Sequence, residues 1–421
     1  MRSYIPRMVA AVSAVSLLTL AACSSSVDAD TAATENTSAR GPITFAMGSN
    51  DAGSVKPIIE SWNASHPDEQ VSLKELAKSA DDARDQLVQS LQAGNDDYDV
   101  MALDVVWTAE FAARGWLQEL SGDFAMDTSG LLPATVESAT FNGKQYAAPQ
   151  NTNAQLLYYR TDLVPQAPTD WQGLLDSCTI AVENNVDCLV TQLKQFEGLT
   201  VNATQFINSW GGSVVGPDGK TATVDSEQAK AGLQALVDAY QNEDIAKRST
   251  GFEESETNLA FTGGESMYAY NWPYMVTTSE DAEASKVVGK VGVAPILSPT
   301  GPGASTLGGY NNGINVNSKN KATAKDFMAF VQNEESQKSF ADNSFPPVLA
   351  SVYDDATLIA DHPYLPVLKT ALENAKPRPV SPNYTAVSKA IQDNVYAALN
   401  GNKTVDQAVA DMTTAINNAG K

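Results

Sequence analysis

Tyr98-Asp99-Val100-Met101-Ala102-Leu103-Asp104 is the stretch on which the fold turns. Val100 to Leu103 is an unbroken apolar run between acidic neighbours. It is too short for a helix and apolar on both faces, as a strand buried inside a sheet must be. Upstream, Ile43-Thr44-Phe45-Ala46-Met47 alternates like a strand and is followed by Gly48-Ser49-Asn50-Asp51. Val55, Ile58, Ile59 and Trp62 then recur at helical spacing. Val71-Ser72-Leu73 reads as a second short strand, and Asp81 or Asp82 is placed to cap a helix that turns Leu87 and Leu91 inward and ends at Gly94. The order is βαβαβ, which calls for a parallel sheet with right-handed crossovers. Ligands of such sheets sit outside the carboxyl ends of the strands, so Ser49, Asn50, Asp51 and Asp104 should face one crevice.

Downstream, Gln155-Leu156-Leu157-Tyr158-Tyr159 opens a second α/β region, continued by strands around Met267 to Tyr270 and Lys290 to Pro295. The chain closes in helices. Tyr384, Val387, Ile391, Val395 and Ala398 mark one apolar face ended by Gly401, and Thr404 with Gln407 forms a capping box ahead of Ala408, Val409, Met412 and Ile416. Gly216-Pro217, Gly301-Pro302-Gly303 and the segment from Pro377 to Pro382 read as turns rather than domain linkers. Two α/β lobes with a cleft between them and one large α/β domain both fit this periodicity and a length of 421 residues.

Composition excludes several classes. A formal net charge of −23 leaves no excess of cations to neutralise phosphates, so nucleic acid is not an expected partner. Two histidines, His66 and His362, leave little for a His-based metal site or a Ser-His-Asp triad, and no metal is expected. Arg2 and Arg7 precede a short apolar run, Met8 to Leu20, that is brief for a membrane span. It ends in Leu20-Ala21-Ala22-Cys23, which resembles the lipobox of bacterial lipoproteins, with Cys23 lipidated as the mature N-terminus. Ser24 to Gly41, rich in small polar residues, reads as a flexible tether. Cys178 and Cys188 then remain in an oxidising compartment, where a local disulfide is the natural reading and two buried thiols the alternative.

Five segments carry function. They are Asp104-Val105-Val106-Trp107-Thr108-Ala109-Glu110-Phe111-Ala112-Ala113-Arg114-Gly115-Trp116-Leu117; Pro149-Gln150-Asn151-Thr152-Asn153 with Leu156-Leu157-Tyr158-Tyr159-Arg160; Asn271-Trp272-Pro273-Tyr274; Leu307-Gly308-Gly309-Tyr310; and Arg378-Pro379-Val380-Ser381-Pro382-Asn383-Tyr384. In content and order they resemble the family 1 substrate-binding proteins of ABC sugar importers, most closely actinobacterial lipoproteins for trehalose, maltose and related α-glucosides. The resemblance spans residues 43–416.

It implies an α/β, two-lobe, periplasmic-binding-protein-like fold of type II, with a hinge and a ligand cleft between lobes. The implied organisation is a signal peptide at 1–22, a tether at 23–41, an N-terminal lobe from 42–152 and 308–350, and a C-terminal lobe from 153–307 and 351–421. It implies a monomer that needs no cofactor, is anchored to the outer face of the membrane by lipid on Cys23, and passes an α-glucoside disaccharide to ABC permease subunits. Asp104 matches a carboxylate that grips sugar hydroxyls; Asn153 stands where many relatives have Asp; Trp272 matches an aromatic platform; Tyr310 replaces a Trp of some relatives; Arg378 matches a clamping arginine. Glu254, or its neighbour Glu253, matches an acidic ligand. Asn50, Asp51 and Asn151 add polar contacts, and Gly308 and Gly309 would let the backbone approach the sugar.

The chemistry of the residues agrees. Aromatic faces cover the apolar faces of a sugar ring, while Asp, Asn and Arg satisfy its hydroxyl rim. Against the sharper readings, Trp116 and Trp171 sit among apolar positions and read as core, and Trp107 is divided between ligand contact and a wedge under the next helix. Asp99 reads as a cap at the strand start, and Asp81, Asp82, Asp96 and Asp97 as solvated surface. Arg378, bracketed by Pro377 and Pro379, is poorly placed for a helix-surface ion pair. The rival function is a glycoside hydrolase using Asp104 and Glu254 as its carboxylate pair.

Overall fold

The computed structural model describes residues 38–419 except position 217. The leader, Cys23, most of the tether and Pro217 lie outside the described residues. Strands of the two main sheets and the helices that bear on the site are numbered here in chain order. The strands are β1 (Ile43–Gly48), β2 (Val71–Leu76), β3 (Val100–Asp104), β4 (Ala148–Ala154), β5 (Leu156–Arg160), β6 (Asp187–Val190), β7 (Ser266–Asn271), β8 (Val291–Pro295) and β9 (Leu307–Ile314). The helices are α1 (Ala52–Ser65), α2 (Ala80–Gln92), α3 (Trp171–Glu183), α4 (Glu197–Ser209), α5 (Glu227–Gln241), α6 (Glu254–Thr262), α7 (Tyr384–Leu399) and α8 (Val405–Asn418).

The expected βαβαβ unit is present. β1 runs parallel to both β2 and β3, in a five-stranded sheet ordered β2-β1-β3-β9-β4. The two faces of β1 feed different cores: Phe45 and Met47 pack with Ile58, Trp62 and Phe327, whereas Ala46 packs with Leu87, Met101 and Leu103. That is why the strand reads apolar on both sides. β9, which arrives late in the chain, inserts antiparallel between β3 and β4. Helix α2 begins one turn earlier than expected: Ser79 is its N-cap, and Asp81 and Asp82 lie inside the first turn, where acidic groups suit the helix dipole.

A second sheet, ordered β8-β5-β7-β6, is four-stranded and mostly antiparallel, with β6 parallel to β7. Helices α3, α4, α5, α7 and α8 build its core with Leu157, Leu189 and Tyr268. The capping box of α8, with Thr404 and Gln407 serving each other's backbone N–H, is as expected. Cys178 of α3 and Cys188 of β6 form a disulfide, the reading favoured above.

The chain passes between the sheets at one waist. β4 ends at Ala154 and β5 starts at Leu156. The return enters β9 at Leu307, which pairs with Ala154. The last passage runs alongside, where the Leu307 N–H donates to the Lys376 carbonyl and the Lys376 N–H to the Ser305 carbonyl, each at 2.8 Å. This is the mixed α/β, two-lobe fold, not one large domain. The tether ends sooner than expected, because Arg40 pairs with Glu69 and Asp326 and the Gly41 N–H donates to Thr323.

Candidate functional site

The carboxyl ends of β1 and β3 open on a cavity with about 120 Å³ of room for the centres of water-sized molecules, whose other wall comes from α4, α6 and the end of β7. Of the residues expected there, Asn50, Asp51, Asp104, Asn153, Glu254, Trp272, Gly309, Tyr310 and Arg378 line it. Asn151 does not. Its carboxamide is spent inside the sheet, accepting the Tyr310 N–H at 3.1 Å and donating to the Thr152 carbonyl. Ser49 is exposed beside the cavity rather than lining it.

Asp51 sits at the N-cap of α1 but makes no side-chain cap. Its carboxylate instead accepts Tyr310 Oη at 2.7 Å and Asn50 Nδ2 at 2.9 Å. Burial pushes its pKa up to about 6, although both donors pull it down. Glu254 opens α6, its carbonyl held by Tyr274 Oη at 3.0 Å and Asn271 Nδ2 at 3.1 Å. Burial pushes this carboxyl up to about 7, with the Asp51 charge adding to the shift. Glu253 turns away and pairs with Lys194, so of the two glutamates only Glu254 faces the cavity.

Trp272 is fixed through its backbone. Its N–H donates to Asn271 Oδ1 at 2.9 Å, and its carbonyl accepts Tyr158 Oη at 2.9 Å. The half-buried indole therefore presents to the cavity from a rigid mount. The two glycines also answer to packing within the protein. A Cβ on Gly308 would lie 3.0 Å from the Trp272 ring and 3.2 Å from Asn153 Cβ, and one on Gly309 would lie 2.4 Å from the Asn151 carbonyl oxygen. Gly309 also has φ of +115°. Gly308 makes room for the indole and Gly309 for the bulged pairing of β9 with β4, and both line the cavity.

Arg378 arrives from the segment after the waist and is almost wholly buried. It donates to Asp104 Oδ1 and to Glu197 Oε1, each at 2.6 Å. Burial works against its charge, but Asp104 and Glu197 outweigh it and hold the guanidinium firmly protonated. Asp104 also accepts the Val106 N–H on Oδ1, at 3.2 Å, so its Oδ2 takes no hydrogen bond among the described residues. Asn153 Oδ1 likewise has no partner among them.

Several lining residues escaped the sequence reading: Lys78, Phe196, Glu197 and Tyr274. Tyr274 lies within a quoted segment and was within reach; nothing in the local sequence marks Lys78 or Glu197. Asp81 is not surface, since it accepts the Glu197 N–H at 3.2 Å across the cavity rim. Asp99 ties strand starts together by accepting the Thr44 N–H and Ser318 Oγ. Trp107 is buried and stacks on Phe111, so it is the wedge; Trp171 is core, and Trp116 is half-buried under Arg114. No group of His, Cys, Asp and Glu among the described residues is arranged to hold a metal.

Residues 48–338 match the family model described as bacterial extracellular solute-binding protein. The chain belongs to that family. A probable ABC transporter-binding protein of Deinococcus radiodurans is 33% identical over 382 residues, covering 85% of this chain and 88% of that one. A mannitol-binding protein of Pseudomonas aeruginosa is 26% identical over 404 residues, covering 86% and 89%. Among solved structures, maltose-bound T. maritima MalE3 superposes with a TM-score of 0.83 at 34% identity, over 89% of this chain and 98% of that one. This solute-binding protein is thus the extracellular component of an ABC transporter and not an enzyme. The hydrolase reading therefore falls.

Proposed function

We propose that this solute-binding protein captures a sugar, specifically an α-linked glucose disaccharide, with trehalose as first choice and maltose second. The observation that carries this reading is the convergence of Asp51, Asp104, Asn153, Glu254, Trp272, Tyr310 and Arg378 on one cavity. An aromatic platform on a rigid mount shares the cavity with acceptors that take no hydrogen bond among the described residues, Asp104 Oδ2 and Asn153 Oδ1, which is what a ring with a hydroxyl rim requires. An unpaired polar group buried with the ligand costs about 1–3 kcal/mol, so such a site discriminates epimers strongly. The ligands for which these relatives are named, mannitol and maltose, are polyhydroxylated and support the same class.

The two lobes, 42–152 with 308–350 and 153–307 with 351–421, close about the waist around the sugar. Lipid on Cys23 holds the monomer at the outer membrane surface, where it meets its permease. The test is a thermal-shift screen of the mature chain over trehalose, maltose, maltotriose, sucrose and mannitol, since a ligand that binds only the folded state raises its Tm. Trehalose or maltose should give the largest shift, and Trp272→Ala should abolish it. A largest shift with mannitol, or none with either glucoside, defeats the assignment.

A further inference from the structure

Arg378 lies on no regular element. Pro377 and Pro379 flank it, and the next helix, α7, starts only at Tyr384. The backbone ladder holds the segment only at Lys376, two residues upstream, yet the guanidinium is buried and double-paired. Both acids matter, but they differ. Asp104 ends β3 on one side of the cavity, whereas Glu197 opens α4, which packs with α7 on the side of the four-stranded sheet.

Glu197 is also the better seated of the two. Its Oε1 accepts Arg378 Nη1 and Tyr384 Oη, its Oε2 accepts Ser388 Oγ at 2.6 Å, and its own N–H is held by Asp81. Tyr384 and Ser388 lie one turn apart on α7, so the carboxylate is gripped by the helix that follows Arg378. Arg378 Nε has no acceptor among the described residues.

We propose that Glu197 is a positioning residue for ligand capture: it fixes the Arg378 guanidinium so that one amino group meets Asp104 Oδ1 and the remaining donors, with Asp104 Oδ2, face the ligand. The charge does this work more than the shape. A glutamine keeps the volume and can still accept from Arg378 and Tyr384, but it removes the negative charge that opposes Arg378's own burial. The inference rests on the sugar-binding reading of the same cleft, and its test has one arm that needs no ligand.

In the first arm, ligand-free mature chain labelled with 15N-arginine is examined by NMR with Arg378→Lys to assign the signal. Wild type should show an Arg378 guanidinium with slowed Cζ–Nη rotation, and Glu197→Gln should lose that slow signal while still unfolding cooperatively, at a lower Tm. In the second arm, titration calorimetry with trehalose and maltose should show Kd raised about 10- to 100-fold in Glu197→Gln, as for loss of a charged hydrogen bond. The same change in an Arg378→Met background should do little more. If E197Q does not fold, Ser388→Ala, which removes one donor seating Glu197, should give a smaller rise and a partial loss of the slow signal.

An unchanged Arg378 signal, or effects on Kd that simply add in the double variant, overturns the proposal and leaves Glu197 a packing residue. If wild type binds neither sugar, the disaccharide reading fails while the NMR arm still decides the positioning role.

Discussion

Gly308→Ala tests the aromatic platform without touching it. The added Cβ would stand 3.0 Å from Trp272 Cη2 and Cζ3 and 3.2 Å from Asn153 Cβ, tighter than ordinary contact, so the neighbours must give by a few tenths of an ångström. Gly308 has no positive φ, and alanine suits its backbone. Trp272 cannot retreat as a whole, because its N–H and carbonyl are both tied. The relief has to come from the indole tilting into the cavity it lines. Overpacking of this kind costs about 1–3 kcal/mol, and when the cavity is open for ligand most of that cost falls on binding, a rise in Kd of about 5- to 150-fold. The empty protein should melt within about 4 °C of wild type. Calorimetric titration with trehalose and maltose, beside thermal melts, reads both quantities. A folded G308A protein whose Kd stays within about twofold of wild type would show that the indole is not what holds the ligand.

Three further outcomes follow from the same structure. Asp51 and Glu254, lifted by burial to about 6 and about 7, stabilise the folded state only while protonated, so their contribution is full below about pH 4 and is lost as pH rises through about 7. Glu254→Gln should therefore melt above wild type at pH 8, by at most about 3 kcal/mol, and the gap should close towards pH 4; a gap independent of pH contradicts the burial argument. Replacing Cys178 and Cys188 by serine should lower stability to urea by about 2–3 kcal/mol while trehalose affinity holds, because neither residue lines the cavity. Gly309→Ala should lower stability by about 3 kcal/mol or more, read as a large loss of Tm or of soluble protein, since φ of +115° and a Cβ 2.4 Å from the Asn151 oxygen leave no room; near-normal melting would refute the strand-pairing role.

The half of the fold built from local contacts was readable from the chain. Val100–Leu103 as a strand buried on both faces, the α1 stripe of Val55, Ile58, Ile59 and Trp62, and the α8 cap at Thr404 all follow from short-range periodicity and capping. The insertion of β9 between β3 and β4 was not readable, because no local pattern encodes a pairing of Tyr310 with Asp104 almost half the chain away. The site divides in the same way. Asp104 and Asp51 were legible because Asp104 ends β3 and Asp51 lies in the turn that follows β1 of the same sheet, whereas Trp272 and Arg378 came only through resemblance. Glu197 was missed: before folding it is one glutamate among 50 acidic residues, and its meaning depends on Arg378, Tyr384 and Ser388 reaching it. Asn151 and Asn153 lie two apart on β4, so alternation alone puts both on one face; what takes Asn151 out of the lining is its bonding to the Tyr310 N–H and the Thr152 carbonyl, which no local pattern encodes.

The most direct test of the central claim is calorimetric titration of trehalose into the mature chain and into Asp104→Ala, with free glucose assayed in the same samples. Wild type should bind saturably at one site and release no glucose, and Asp104→Ala should lose binding or bind far more weakly. Binding by Asp104→Ala equal to wild type, or release of glucose that Asp104 is needed for, would contradict that claim.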